Sequence, residues 1–191
     1  MIRVYDFDNT IFKGDSTARF CAYSLRKRPG LLLRLPGVAI AFAAMAIGVK
    51  SKTRAKEKLF RALVRGYENI DRDIAAFWDE NFSRIKPWYM QMRSRDDVII
   101  SASPEFLLEL PCKKLGVRLI GSRVDKTTGE YNGLNCHGEE KVRRYEKAGM
   151  PGEFEFYSDS LSDAPMAEKA ARAFMVAGDD VRSWEFGDAR K

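Results

Sequence analysis

Histidine occurs once, as His137, and cysteine three times, as Cys21, Cys112 and Cys136, widely spaced and without a CxxC pair. That scarcity excludes a zinc site built from Cys and His, a dithiol redox centre and a disulfide framework, and leaves reduced thiols as the expectation. Low-complexity tracts and internal repeats are absent as well, so neither a disordered arm nor a solenoid is expected. The 191 residues suit one packed domain with an elaboration. The chain opens on "MIRVYDF", which reads as a strand rather than as a charged stretch followed by a long apolar core, and this gives a cytoplasmic protein as the expectation.

Acidic residues are almost missing from one quarter of the chain. Between Ser16 and Gly66 stand twelve Lys and Arg residues and a single acid, Glu57, so this stretch carries +11 while the whole chain carries +6 and the remainder −5. The same quarter contains "LPGVAIAFAAMAIGV", residues 35–49, fifteen residues without a charge, with "RKR" upstream and "KSKTRAKEK" directly downstream. As an α-helix the run is roughly 22 Å long at ~1.5 Å per residue, short of a ~30 Å hydrocarbon core, so it is not expected to span a bilayer. Three readings stay open: a helix in the core of the segment, a lid over an apolar substrate, or a shallow insertion into an anionic membrane surface, where the flanking cations add attraction. Nucleic-acid binding is not expected, because the cations accompany an apolar helix rather than interleaved aromatics.

Periodicity organises the rest. Residues 2–7, 97–101, 117–122, 153–160 and 173–178 read as strands, and residues 16–95 carry a helical pattern broken at Pro29-Gly30, Pro36-Gly37 and Gly66. Residues 123–133 suggest a hairpin turning near Thr128-Gly129. Strand and helix alternate after residue 97, which predicts an α/β fold: a Rossmann-like parallel sheet with helices on both faces and a helical cap inserted after the first strand. The expected division is a catalytic core of 1–15 and 96–191, with a cap of 16–95.

In such a sheet the reactive groups belong at the C-terminal ends of the strands. Asp6 and Asp8 follow the first strand, Ser101 ends the second, Lys141 opens a later helix, and Asp159 and Asp163 follow "EFEFY". Four carboxylates gathered at one place require a cation, and hard oxygen donors suit Mg²⁺. A lysine and a serine hydroxyl beside them suit phosphoryl oxygens.

The segments "DFDNT", "SASPEF", "GEEK" and "YSDSLSDAP" resemble, in order, the four motifs of the haloacid-dehalogenase-like phosphatase superfamily, in its phosphoserine-phosphatase-like branch (subfamily IB). The resemblance implies a phosphomonoester hydrolase working through an aspartyl-phosphate, with Asp6 as nucleophile and Asp8 as general acid and base. It further implies that Ser101, Ala102 and Lys141 bind the phosphate and that Thr10 orients the loop. Asp6, Asp8 through its carbonyl, and Asp159 would be Mg²⁺ ligands supported by Asp163. Asn9 stands where many relatives have glycine, and "SDSLSD" replaces a glycine-rich stretch of phosphoserine phosphatases. The basic, apolar, basic order of the cap and "CHGEEK" are similar to the phosphatidylglycerophosphatase C group of that branch, which implies a phospholipid phosphate as substrate and a peripheral position on the inner face of the cell membrane. A small soluble ester such as phosphoserine is the second reading, and a catalytically silent scaffold binding membranes or proteins the third.

Other residues read more plainly. Ser103 suits a helix N-cap ahead of Pro104, and Asp15 suits either the cap of the next helix or a contact to substrate. His137, Trp78, Trp88 and Trp184 are expected to pack. Neither the oligomeric state nor the substrate-reading residue of the cap is legible.

Overall fold

The computed structural model describes residues 1–48 and 51–185. Its centre is a six-stranded sheet in the order β3-β2-β1-β4-β5-β6, formed by β1 (Ile2–Tyr5), β2 (Val98–Pro104), β3 (Arg118–Ser122), β4 (Phe154–Ser158), β5 (Arg172–Ala177) and β6 (Asp180–Ser183). The first five strands are mutually parallel, and β6 returns antiparallel along β5. The register sets Val4 beside Val98 and Phe156, and Tyr5 beside Ile99 and Tyr157. Successive side chains therefore point to opposite faces. Tyr5, Ile99 and Tyr157 join one apolar cluster, whereas Val4, Val98, Ile100 and Phe156 join another. Both faces are buried, as a parallel sheet requires.

Helices α1 (Ser16–Lys27), α2 (Leu35–Ala46), α3 (Lys52–Val64), α4 (Ile70–Asn81) and α5 (Pro87–Met92) lie between β1 and β2, and α6 (Glu105–Leu115), α7 (Glu139–Lys147) and α8 (Ala164–Lys169) follow. Phe20 of α1, Trp78 of α4 and Tyr89 of α5 share one cluster with Tyr5 and with Leu107 of α6. Trp78 Nε1 donates to the Leu107 carbonyl at 2.6 Å, which satisfies the buried indole N–H. All three tryptophans are in apolar packing, with Trp184 buried in the second cluster.

The apolar run stays largely uncovered by the rest of the protein. Its helix, α2, buries only Val38 and Ala41, while Ile40 is 69% exposed. A reading of α2 as a core helix is therefore not what the packing shows. The upstream "PGLLLR" coils into 3-10 turns, Pro29–Arg34, so Arg34 falls inside a continuous helical stretch. Pro29–Ala46, 18 residues of mean hydropathy 1.6 and 17% buried, is long and apolar enough by length and composition to cross a membrane. Val49 and Lys50, the end of the run and the first downstream cation, lie outside the described residues. The upstream cations are largely paired: Arg26 with Glu80 and Arg28 with Asp73.

Two more expectations change. The sixth strand was not anticipated, and Ser103 is no helix cap: β2 runs through it to Pro104, the N-cap of α6, which has no side-chain bond. Asp15 does cap α1, accepting from the Ala18 N–H at 2.8 Å.

Candidate active site

The chain crosses from one side of the sheet to the other around β1, whose neighbours are β2 and β4. The loops leaving these three strands must diverge, and they open a crevice at their C-terminal ends. A cleft of about 260 Å³ there is lined by Asp6, Asp8, Ser101, Ala102, Lys141, Asp159 and Asp163, which unites the carboxylates with their basic and hydroxyl partners.

Each group is held from a different element. The Asp6 N–H donates to the Tyr157 carbonyl at 2.9 Å, extending the β1–β4 ladder by one residue and fixing where Asp6 begins. Lys141, in the first turn of α7 and 2% exposed, donates to Asp6 Oδ1 and Asp163 Oδ2, both at 2.7 Å. Ser158 Oγ donates to the same Asp163 oxygen at 2.7 Å. Thr10 joins the two loops: its Oγ1 accepts from the Asp159 N–H at 3.0 Å and donates to Asp159 Oδ1 at 3.3 Å. Between them, Asn9 adopts φ 56°, the left-handed region that glycine occupies freely and asparagine tolerates.

Asp8 faces elsewhere. Its Oδ1 accepts from the Ser16 N–H at 2.6 Å and its Oδ2 from Ser103 Oγ at 2.5 Å. Ser103 Oγ also meets Thr17 Oγ1 at 2.9 Å, and its N–H donates to Ser101 Oγ at 3.1 Å. A serine read from the sequence as a cap is thus the hub between Asp8, α1 and Ser101. The signal available was its spacing, two residues after Ser101 in one strand and so on the same face.

Two cations on α3 were also not anticipated as site residues. Lys56 Nζ donates to the Ala102 carbonyl at 3.3 Å and to Asn135 Oδ1 at 3.4 Å, and Lys52 stands at the rim of the same cleft. Their spacing of four residues places both on one helix face. His137, read as a packing residue, borders this cleft too, half-buried. Burial and then the Lys52 charge hold its imidazole below the ordinary histidine value.

Burial pushes Asp6 well above the ordinary carboxylate value against the pull of Lys141, and it pushes Asp8 up to about 6, with Asp15 adding repulsion. Asp159 is raised for the same first reason. Burial opposes the charge of Lys141, but Asp6 and Asp163 outweigh it and hold the ammonium protonated. Five carboxylates, Asp6, Asp8, Asp15, Asp159 and Asp163, line the cleft against three lysines, Lys52, Lys56 and Lys141, which leaves it short of positive charge.

Among the described residues no three carboxylate, Cys or His side chains form a ready-made metal cluster. Lys141 binds one oxygen each of Asp6 and Asp163, Thr10 binds one of Asp159, and Ser16 and Ser103 hold the two oxygens of Asp8. Among the described residues Asp6, Asp159 and Asp163 thus each keep one carboxylate oxygen without a hydrogen bond, while both oxygens of Asp8 are taken. Carboxylate oxygens of this kind in an under-neutralised cleft are a donor set that fits Mg²⁺, which binds few protein ligands and keeps several waters.

The sequence profile of one family, haloacid dehalogenase-like hydrolase, matches residues 4–168. Among solved structures, a protein of unknown function from Bordetella pertussis Tohama I is similar with a TM-score of 0.73 at 18% identity, over 90% of this chain and 87% of that one. A phosphoserine phosphohydrolase-like protein from Francisella tularensis subsp. tularensis SCHU S4 gives 0.57 at 16%, over 91% and 86%. A phospho-aspartyl intermediate analogue of phosphoserine phosphatase gives 0.54 at 17%, over 90% and 84%. At such identities these structures share the fold, and no curated protein matches in sequence. The profile match runs from β1 through most of α8 and takes in every loop that lines the cleft, and on that extent the chain belongs to the haloacid dehalogenase-like hydrolase family.

Proposed function

We propose that the protein is a Mg²⁺-dependent phosphomonoester hydrolase working through an aspartyl-phosphate on Asp6, with residues 16–95 as its cap. The observation that carries this reading is the pair of carboxylates two residues apart in unlike settings. Asp6 is ion-paired to a buried lysine, and Asp8 is hydrogen-bonded to neutral groups.

The Asp6 carboxylate attacks phosphorus, the bond from phosphorus to the ester oxygen breaks, and Asp8 gives its proton to the departing alcohol. Asp8, now a carboxylate, takes a proton from water as the water oxygen attacks the same phosphorus. This step frees Asp6 and releases inorganic phosphate. Lys141 supplies a fixed positive charge beside the phosphoryl oxygens, and Ser101 with the Ala102 backbone orients them. Ser103 and Ser16 keep Asp8 aimed, because both its oxygens are held. Asp6, Asp159 and the Asp8 carbonyl would hold Mg²⁺, which would neutralise the carboxylates and the phosphoryl charge in the cleft.

The leading substrate is a phospholipid phosphate such as phosphatidylglycerophosphate, and a soluble ester such as phosphoserine is the alternative. The exposed α2 supports the first, and the names of the Francisella protein and of the phosphoserine phosphatase analogue support the second. Lys52 and Lys56 at the cleft favour an alcohol that carries its own negative charge, which both esters provide.

The test is phosphate release with Mg²⁺ from the lipid in mixed micelles, from L-phosphoserine and from an aryl phosphate, with Asp6→Asn and EDTA as controls. Asp6→Asn is expected to lower turnover by at least ~10³-fold while the chain stays folded. Substantial activity in that variant, or no release from any ester by the parent, overturns the reading, and the second result leaves a silent scaffold.

A further inference from the structure

A helix that is apolar on every side is stable only where something other than water covers it. In the 3-10 turns, α2 and its C-cap, the protein covers Leu31, Val38 and Ala41, but leaves Leu33 87%, Ile40 69% and Ile47 77% exposed. No charged residue interrupts α2. Beside it, between the 3-10 turns, α2 and α3, lies an open groove of about 700 Å³ whose wall carries Arg34, Arg54, Lys58 and Arg65. Arg61 on that wall is paired with Glu57 and Glu130, whereas the other four cations have no ion-pair partner among the described residues.

The chemistry of this face selects its occupant. A second copy docking by the same face would bring cations against cations, so self-association gains apolar contact at the expense of charge repulsion. A membrane-crossing α2 would leave α3, uncovering Val38 and Ala41 and breaking the bond from Arg34 Nη1 to the Ala62 carbonyl at 3.0 Å. An anionic lipid surface satisfies both halves of the face: acyl chains cover the exposed leucine and isoleucines, and lipid phosphates pair with the free cations.

We infer that α2 and the adjoining groove form a docking surface for an anionic lipid bilayer. α2 lies in the plane of the headgroups, and Arg34, Arg54, Lys58 and Arg65 meet the phosphates. The inference goes beyond the catalytic reading, since docking is measured without turnover. Its consequence for that reading is that the hydrolase works where lipid-borne esters are concentrated.

The full chain is sedimented with vesicles of phosphatidylcholine, with and without added phosphatidylglycerol. Retention is expected on the anionic vesicles only and weakens as NaCl rises. The double variant Arg54→Gln/Lys58→Gln is expected to partition about thirty-fold less, at roughly fivefold per cation, and Ile40→Glu on the order of tenfold less. Both variants should hydrolyse an aryl phosphate in solution at the parental rate. Vesicle binding by a parent that releases phosphate from none of the lipid, phosphoserine and aryl esters would sink the catalytic reading and leave the docking surface standing. The docking surface is overturned by no retention, by equal retention on neutral vesicles, by a dimer that Ile40→Glu dissolves without vesicle binding, or by attachment that detergent but not salt releases.

Discussion

One helix, α3, presents cations on two faces that meet opposite surroundings. Lys52 and Lys56 turn toward the carboxylate-lined cleft, where Lys56 is half-buried and bonded to Ala102 and Asn135. Arg54, Lys58 and Arg65 turn the other way into the groove beside α2, exposed and without ion-pair partners among the described residues. The residue types and the spacing are alike, so the sequence marks both faces as simply basic. Their surroundings separate them: the inner cations answer a cleft rich in carboxylates, and the outer ones answer nothing within the protein.

The strongest way to break this comparison is to remove one cation from each face. Lys56→Met is expected to lower kcat/KM on soluble esters by about 100-fold, because it removes a charge at the cleft and a bond that steadies the end of β2. Lys58→Met should change it less than about twofold, as an exposed surface substitution. Equal losses would mean that α3 acts as a single electrostatic body and that its two faces have no separate roles.

A second prediction concerns what holds α3 in place. Gly129, at φ 76°, lies against the backbone of α3 so closely that an added Cβ would come within 2.3 Å of the Arg61 nitrogen. Directly after this approach Glu130 pairs with Arg61, and the Tyr131 N–H donates to Glu57 at 3.1 Å. Gly129→Ala is therefore expected to destabilise by about 2–4 kcal/mol, from a strained φ and a backbone clash together, with a fall in Tm on the order of 5–10 °C. An unchanged Tm would show that the loop can leave α3 without loss, and the inner face would then not be fixed by it.

The inner face has an acidic counterpart whose burial has a measurable sign. Asp8 sits at about 6 in the folded chain against an ordinary value of 3.8, so the folded state keeps its proton over a range where the unfolded state gives it up. Stability on account of Asp8 is therefore highest below pH 3.8, declines as pH rises toward 6, and is fully lost above it. Asp8→Asn, measured in EDTA at pH 7.5, removes that penalty and is expected to raise stability by about 1–2 kcal/mol, while turnover is lost. The figure is less than the full shift because the carboxylate borders an open cleft. A lower Tm would show that its bonds to Ser16 and Ser103 outweigh the buried charge.

The sheet and most of the cleft were legible because they depend on local chemistry: apolar runs ending in Asp6, Ser101 and Asp159 place reactive groups at strand ends wherever a parallel sheet forms. What escaped depends on partners distant in sequence. β6 has four exposed residues and no apolar alternation, and it exists only because β5 offers an edge. Ser103 looks like a cap beside Pro104 until α1 brings Thr17, and the loop after β1 brings Asp8, to it. Arg26 and Arg28 read as free flanking cations, yet Glu80 and Asp73, some fifty residues on, neutralise them. Whether the apolar run packs inside the cap or faces outward stayed open, because composition reports what a helix needs to bury, not whether the protein buries it.

The smallest predicted effect tests the outer face most directly. The first turn of α3 contains no acid, and it carries Lys52 and Arg54 at the end where the helix dipole is positive. Cations there disfavour the helix, so a residue kept only for folding would be neutral or acidic. Arg54→Gln should accordingly stabilise the free protein by a few tenths of a kcal/mol, with unchanged turnover of soluble esters. A gain of that sign would mean that the outer face carries charge at the expense of the fold and has its use outside the protein. A loss above about 1 kcal/mol would instead make Arg54 a structural residue of α3, and the contrast between the two faces would narrow to burial alone.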